Sequence, residues 1–209
     1  MSSKKIYVIR HGQTDFNRMS IVQGSGIDTS LNDLGRKQAN AFYRKYAHIP
    51  FDRVYTSALR RTIETVDDFI RKGIAHESLA ELNEISWGTR EGRQITPESD
   101  AYYRYLLDEW SKGNTALAID GGESPDQVLS RISGALERIL SNHQDRRILM
   151  CIHGRAIRIL LCHMFRRPLR VMDEYKHTNL GLYLVHYNGD GFTLEMENDI
   201  GHLGEEGVQ

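Results

Sequence analysis

Two short apolar runs, far apart in the chain, end in the same dipeptide. Ile6-Tyr7-Val8-Ile9 leads through Arg10 into His11-Gly12, and Ile148-Leu149-Met150-Cys151-Ile152 leads into His153-Gly154. Continuous apolar runs of this length read as strands buried on both faces, the habit of parallel sheets. Parallel neighbours cannot be joined by a tight hairpin and need crossover connections, usually helices. The two runs therefore oblige the intervening chain to supply helices that cover a sheet.

The rest of the sequence meets that demand. Asn32 caps a predicted helix to about Tyr46, with Leu34, Gln38, Ala41, Phe42 and Lys45 at helical spacing. Residues 52–56 read as a second strand. Ser57 is then expected to cap a helix striped with Leu59, Ile63, Val66 and Ile70 and stopped by Gly73. Residues 74–79 are a weaker strand, 83–97 a loop, and 98–112 a helix rich in aromatics. Ser124-Pro125-Asp126-Gln127 is a helix start with Ser at the N-cap, Pro at the first position and Gln closing a capping box. That helix runs to about Ser141, followed by a strand over 147–152 and a helix over 155–165. Residues 180–187 and 192–197 flank Asn188-Gly189-Asp190-Gly191, a hairpin signal. A polar loop is expected up to about Ser30 and a loose tail from Asp199. The expected fold is α/β, a three-layer sandwich. It has a mostly parallel central sheet, an antiparallel edge hairpin and helices on both faces. One domain spans 1–209, with a lid or insertion at about 92–121.

Composition excludes several classes of function. Lys+Arg 27 against Asp+Glu 28 leaves a net charge of −1. That balance predicts neither a nucleic-acid partner nor an anionic membrane surface, both of which select a basic excess. The basic set is lopsided, with 20 Arg to 7 Lys, and guanidinium is the better bidentate partner for phosphate. The cysteines, Cys151 and Cys162, sit in apolar runs and predict no disulfide framework. No signal-like or membrane-spanning run is read, so a cytoplasmic location is expected.

Ligands in parallel sheets bind beyond the carboxyl ends of the strands, where both His-Gly pairs fall. Two facing histidines suit either a metal or phosphoryl chemistry. A metal site wants further carboxylate or thiolate ligands at a recognisable spacing, and neither HExxH nor a paired-Cys spacing is present. Phosphoryl chemistry wants a nucleophilic imidazole and guanidinium groups to balance the phosphate oxygens. Arg10 beside His11, and Arg60-Arg61 at a helix start, supply them. The sequence favours the second option.

Arg10-His11-Gly12-Gln13-Thr14 followed by Asn17 resembles the Arg-His-Gly-x-Thr-x-x-Asn signature of the histidine phosphatase superfamily, in its phosphoglycerate mutase-like branch. The resemblance continues in order through Gln23-Gly24, residues 31–39, Thr56-Ser57-Ala58-Leu59-Arg60-Arg61-Thr62, Leu82-Asn83-Glu84 and His153-Gly154. It implies His11 as nucleophile, forming a phosphohistidine. It also implies Arg10, Arg61 and His153 around the phosphoryl oxygens, and Asn17, Gln23, Gly24 and Gly154 lining that site. Glu84 is the implied proton donor, a role that requires a carboxyl held protonated near neutral pH by burial or a nearby anion. No cofactor and no metal are implied, and the partner is a small phosphate ester. The Gly122-Glu123-Ser124 block would bring Glu123 and Ser124 to the pocket, although capping already accounts for Ser124. Arg155 stands where the family often has a small or amide residue and is expected to point to solvent.

The resemblance leaves a metal-independent phosphomonoesterase and a cofactor-dependent phosphoglycerate mutase as the enzyme alternatives. A phosphate-binding module without turnover is the third reading, and it would need no proton donor. Mutases typically carry adjacent arginines in the insertion and a tail that shields the intermediate. Residues 92–121 have one Pro and no adjacent arginines, and the chain ends soon after the last expected strand. The phosphatase is the expectation, with the tyrosines and Trp110 of 95–118 as lid and substrate selector.

Overall fold

The computed structural model of the chain describes residues 3–204. In chain order the elements are β1 (Lys4–Arg10), α1 (Asp15–Arg18), α2 (Asp33–Tyr46), β2 (Arg53–Thr56), α3 (Arg60–Arg71), β3 (Ala75–Ser78), α4 (Pro97–Lys112), α5 (Pro125–Ser141), β4 (Arg147–Ile152), α6 (Gly154–Met164), β5 (Leu182–Tyr187) and β6 (Phe192–Asp199). They build a sheet of order β3-β2-β4-β1-β5-β6. The first four strands in that order are mutually parallel. β5 runs antiparallel to β1, and β6 antiparallel to β5. The expected α/β sandwich is therefore the observed one.

Strand alternation divides the core in two. Ile6, Val8, Ile148, Met150 and Ile152 face α5 and α6, packing with Val128, Ile132, Leu136 and Ile159. Tyr7, Ile9, Leu149 and Cys151 face the other way, onto Phe42 of α2 and Val66 and Phe69 of α3. The central strands read as continuous apolar runs because both faces are covered. Cys151 and Cys162 are buried and unbonded. No described helix is long and apolar enough to cross a membrane.

The structure differs from the sequence reading where polar side chains have two uses. Ser57 does not cap α3, whose N-cap is Leu59 without a side-chain bond; Ser57 Oγ is turned instead toward His153. The expected loop before Ser30 contains α1, capped by Thr14 in a reciprocal box with Asn17. The tail is not loose over 200–204, because Leu203 joins the core beside Phe42 and Tyr46. The remainder of that expected tail, 205–209, lies outside the described residues.

Candidate active site

The four parallel strands deliver their polar residues to one end of the sheet. β1 ends in Arg10 and His11. β2 leads to Ser57 and, one turn into α3, Arg61. β4 leads to His153 and Gly154, and the segment after β3 carries Glu84. Arg10 is paired in register with Ile152, so His11 and His153 emerge side by side with ring centroids 5.2 Å apart. Gly12 lets the chain leave this point, since a Cβ there would lie 2.7 Å from the Gly35 carbonyl oxygen. Only a residue without a side chain fits between β1 and the start of α2.

His11 has the features that a nucleophilic imidazole needs. Its side chain is buried, at 2% exposure. Nδ1 lies 2.7 Å from the Gly12 carbonyl oxygen, which can only accept, so Nδ1 carries the proton and Nε2 the lone pair. Burial, then the charges of Arg61 and Arg10, push its pKa well below the ordinary histidine value. The ring is neutral at physiological pH, the state in which an imidazole attacks. Asn179 Nδ2 donates to the His11 carbonyl at 2.7 Å and fixes the backbone behind the ring.

Two guanidinium groups face this ring without a carboxylate partner within ion-pair distance among the described residues. Arg10 Nη1 donates to the His177 carbonyl at 2.8 Å and to His177 Nδ1 at 3.2 Å. Arg10 Nε is buried and has no partner. Arg61 Nη1 donates to Ile27 O at 2.6 Å, Nη2 to Gly24 O at 3.1 Å, and Nε to His153 Nδ1 at 3.3 Å. Burial pulls the pKa of each arginine down to about 10, which leaves both charged at neutral pH. An unpaired buried cation with an idle N–H is costly unless an anion completes it. His153 Nε2 lies 2.8 Å from Ser57 Oγ. Both of its ring nitrogens are thus engaged by protein groups, one of them the Nε of Arg61.

Glu84 lies over the N-terminus of α6, 8% exposed. Its Oε1 accepts from Ile85 N and Ala156 N, both at 3.0 Å, and Oε2 from Arg155 N at 3.1 Å. The Arg155 side chain does not point to solvent as expected. It is 4% exposed, donates to Asp173 at 2.6 Å and to the Tyr103 hydroxyl at 2.8 Å, and lies over Trp110. A planar cation finds two acceptors and a ring face there, which repays its desolvation. Asn17 Oδ1 accepts from Thr14 N, and Gln23 Oε1 accepts from Thr14 Oγ1 at 3.1 Å and from Thr29 Oγ1. Glu123 and Ser124 do not line the cavity: Glu123 is held by Arg131 and Ser124 caps α5.

A cavity of about 250 Å³ opens above these groups. Arg10, Glu84, Asn17, Gln23, Gly154 and Arg155 line it, while His11, Arg61 and His153 do not. From the segment expected to act as selector, Ile95, Ser99, Asp100, Tyr102 and Tyr103 line it, but Leu106 and Trp110 are core. His177 also lines it and escaped the sequence reading, because it sits in a loop with no flanking pattern. Among the described residues no cluster of His, Cys, Asp or Glu is suited to a metal.

Burial and then Arg10 lower the His177 pKa to about 3, and His11 and His153 are lowered in the same direction. Unfolded, these imidazoles bind protons below pH ~6.5; folded, they refuse them. Their contribution is complete above that value and declines as pH falls toward the folded values. Each withheld proton costs up to about 1.4 kcal/mol per pH unit. Urea unfolding between pH 6.5 and 5 is expected to show falling stability, with a shallower slope in His177→Gln. An unchanged slope would show that His177 takes up its proton in the native state.

The model of the histidine phosphatase superfamily (branch 1) matches residues 6–200. Phosphoglycerate mutase-like protein 4 of Arabidopsis thaliana is 31% identical over 207 residues, covering 97% of this chain and 88% of its own. The metal-independent phosphoserine phosphatase of the same plant is 28% identical over 212 residues, covering 97% and 84%. Among solved structures, Bacillus stearothermophilus YhfR superposes with a TM-score of 0.83 at 24% identity, over 95% of this chain and 98% of that one. A mycobacterial glucosyl-3-phosphoglycerate phosphatase complexed with VO3 gives 0.80 at 25% identity, over 93% and 98%. A likeness that runs through nearly every element, rather than through one motif, makes this chain a member of branch 1 of the histidine phosphatase superfamily.

Proposed function

We propose that the chain is one catalytic domain, a metal-independent phosphomonoesterase that hydrolyses a small phosphorylated metabolite through a phosphohistidine. The observation that carries this reading is the buried, unpartnered Nε of Arg10 beside a neutral His11 whose Nε2 is free to attack. Arg10 and Arg61 take the phosphoryl oxygens and offset their charge, which is most of what a phosphoryl-transfer site must do. His11 Nε2 attacks phosphorus as the P–O bond to the leaving group breaks, and Glu84 gives that oxygen a proton. Glu84, now a carboxylate, takes a proton from water. The water oxygen bonds to phosphorus, the P–N bond breaks, and neutral His11 and phosphate result.

Relatives named as phosphoserine and glucosyl-3-phosphoglycerate phosphatases support hydrolysis. Relatives named as phosphoglycerate mutases or mutase-like proteins keep transfer as the alternative. Hydrolysis is favoured by the insertion at 92–121, which carries no adjacent arginines. The Ile95–Tyr103 wall selects the leaving group. The test is phosphate release from p-nitrophenyl phosphate and a panel of phosphorylated metabolites after dialysis against EDTA. Release that survives, without any requirement for 2,3-bisphosphoglycerate, is expected. Release abolished by EDTA and restored by a divalent cation would contradict the reading.

A further inference from the structure

The proton donor has its own clamp, and it lies outside the cavity. Arg131 projects from α5 toward the segment that carries Glu84, and all five of its N–H donors are used. Nη1 donates to the carbonyls of Glu81 and Asn83, both at 2.7 Å. Nη2 donates to the Glu84 carbonyl at 3.0 Å and to Glu123 Oε2 at 2.9 Å. Nε donates to Glu123 Oε1 at 2.8 Å. Three of the four consecutive carbonyls from Glu81 to Glu84 are thus tied to one planar group. Glu123 extends the grip: its Oε2 accepts from Ser86 N at 2.9 Å, and its own N–H donates to Ser86 O at 2.9 Å. Gly122 allows this close pairing, because a Cβ there would sit 2.6 Å from Ser86 O. The backbone before Glu84 is therefore fixed to α5 and that after it to Glu123, just ahead of α5, while its carboxyl is fixed to α6.

We infer that Arg131, with Glu123, is a positioning residue that holds the Glu84 carboxyl where it meets the leaving oxygen. This rests on the proposed role of Glu84. Both partners are partly buried, with side chains 19% and 26% exposed. Although burial alone would raise it, the Arg131 and Ser86 bonds hold the Glu123 carboxyl below its usual range, so Glu123 stays ionised at working pH. Arg131 donates only to the backbone of 81–84 and to Glu123. Its charge also acts on His153, and lysine retains that charge, so Arg131→Lys should reach catalysis through the acid. A displacement of about 1 Å in a catalytic group can cost on the order of 10²-fold. Lysine keeps the charge but cannot span three carbonyls and a carboxylate with a rigid fork.

The experiment compares kcat/KM for p-nitrophenyl phosphate and phenyl phosphate in the wild type, Arg131→Lys, Glu84→Gln and the double variant. The two esters have nearly the same shape, but phenol is the poorer leaving group and depends more on a proton. In Arg131→Lys, kcat/KM for phenyl phosphate is expected to fall about tenfold further than for p-nitrophenyl phosphate, part of the 10²–10⁴ that an acid supplies. In the Glu84→Gln background the same change should add no further leaving-group dependence, since the two act as one unit. Equal losses on both esters, or no loss, with Glu84→Gln still selective, overturn the clamp and leave the acid assignment standing. If Glu84→Gln shows no selectivity, the acid assignment falls and the clamp falls with it. Should Arg131→Lys fail to fold by circular dichroism, Glu123→Gln is measured in its place. It retains an acceptor for Ser86 N but loses the bidentate grip on Arg131, and the same outcomes apply.

Discussion

Replacing His11 with alanine is expected to remove turnover, by more than about 10⁴-fold in kcat, while the protein still folds. The side chain makes one local bond, to the Gly12 carbonyl. The backbone N–H to Ile152 O, 3.0 Å, which holds β1 to β4, survives the substitution. A loss of stability on the order of 1 kcal/mol is what a buried but sparsely bonded side chain predicts. Arg10 and Arg61 remain, so inorganic phosphate should still bind and protect against thermal unfolding. Three measurements check this together: steady-state phosphate release, the melting temperature, and its shift with phosphate. A variant that folds and retains more than about 1% of wild-type kcat would show that the attacking atom belongs to another residue.

The second large effect is expected from Glu84→Gln, on phosphates of alkyl alcohols. An alkoxide leaves badly unless it is protonated as the P–O bond breaks, and general acid help of this kind is worth roughly 10²–10⁴. The substitution keeps one oxygen to accept from Ile85 N and Ala156 N, but sets an NH2 group against the Arg155 N–H. The lost bond costs about 1 kcal/mol in stability, which is separate from the rate effect and measurable by melting. kcat/KM is expected to fall by the full factor for alkyl phosphates and by much less for p-nitrophenyl phosphate. Wild-type turnover of alkyl phosphates by Glu84→Gln would mean the proton comes from elsewhere.

Much of this was legible in the sequence, for a physical reason. Strands buried on both faces must be uniformly apolar, so 6–9 and 148–152 announce a parallel sheet. In such a sheet the residues after the strands share one edge, which is why two His-Gly pairs far apart in the chain predict one site. The boundaries that moved involve side chains whose partners are distant. Ser57 has the composition of an N-cap, but His153 and Leu59 N compete for its oxygen. Arg155 looks like a solvated helix-start residue, because Asp173, Tyr103 and Trp110 approach it only through tertiary packing. His177 and Asn179 carry no local signal, since their roles come from the loop that returns beneath β1. Glu123 lies in a block that resembles a pocket motif, but its carboxylate binds Ser86 N and Arg131 beside the segment bearing Glu84.

The central claim is that one imidazole becomes phosphorylated. Rapid acid-free quenching of the wild-type protein with substrate, followed by peptide mapping, tests it most directly. The predicted result is an acid-labile, base-stable phosphoryl group on the peptide bearing His11, formed and lost fast enough to account for turnover. Turnover with no phosphoenzyme at any time, or with the phosphoryl group on a different side chain, would contradict it.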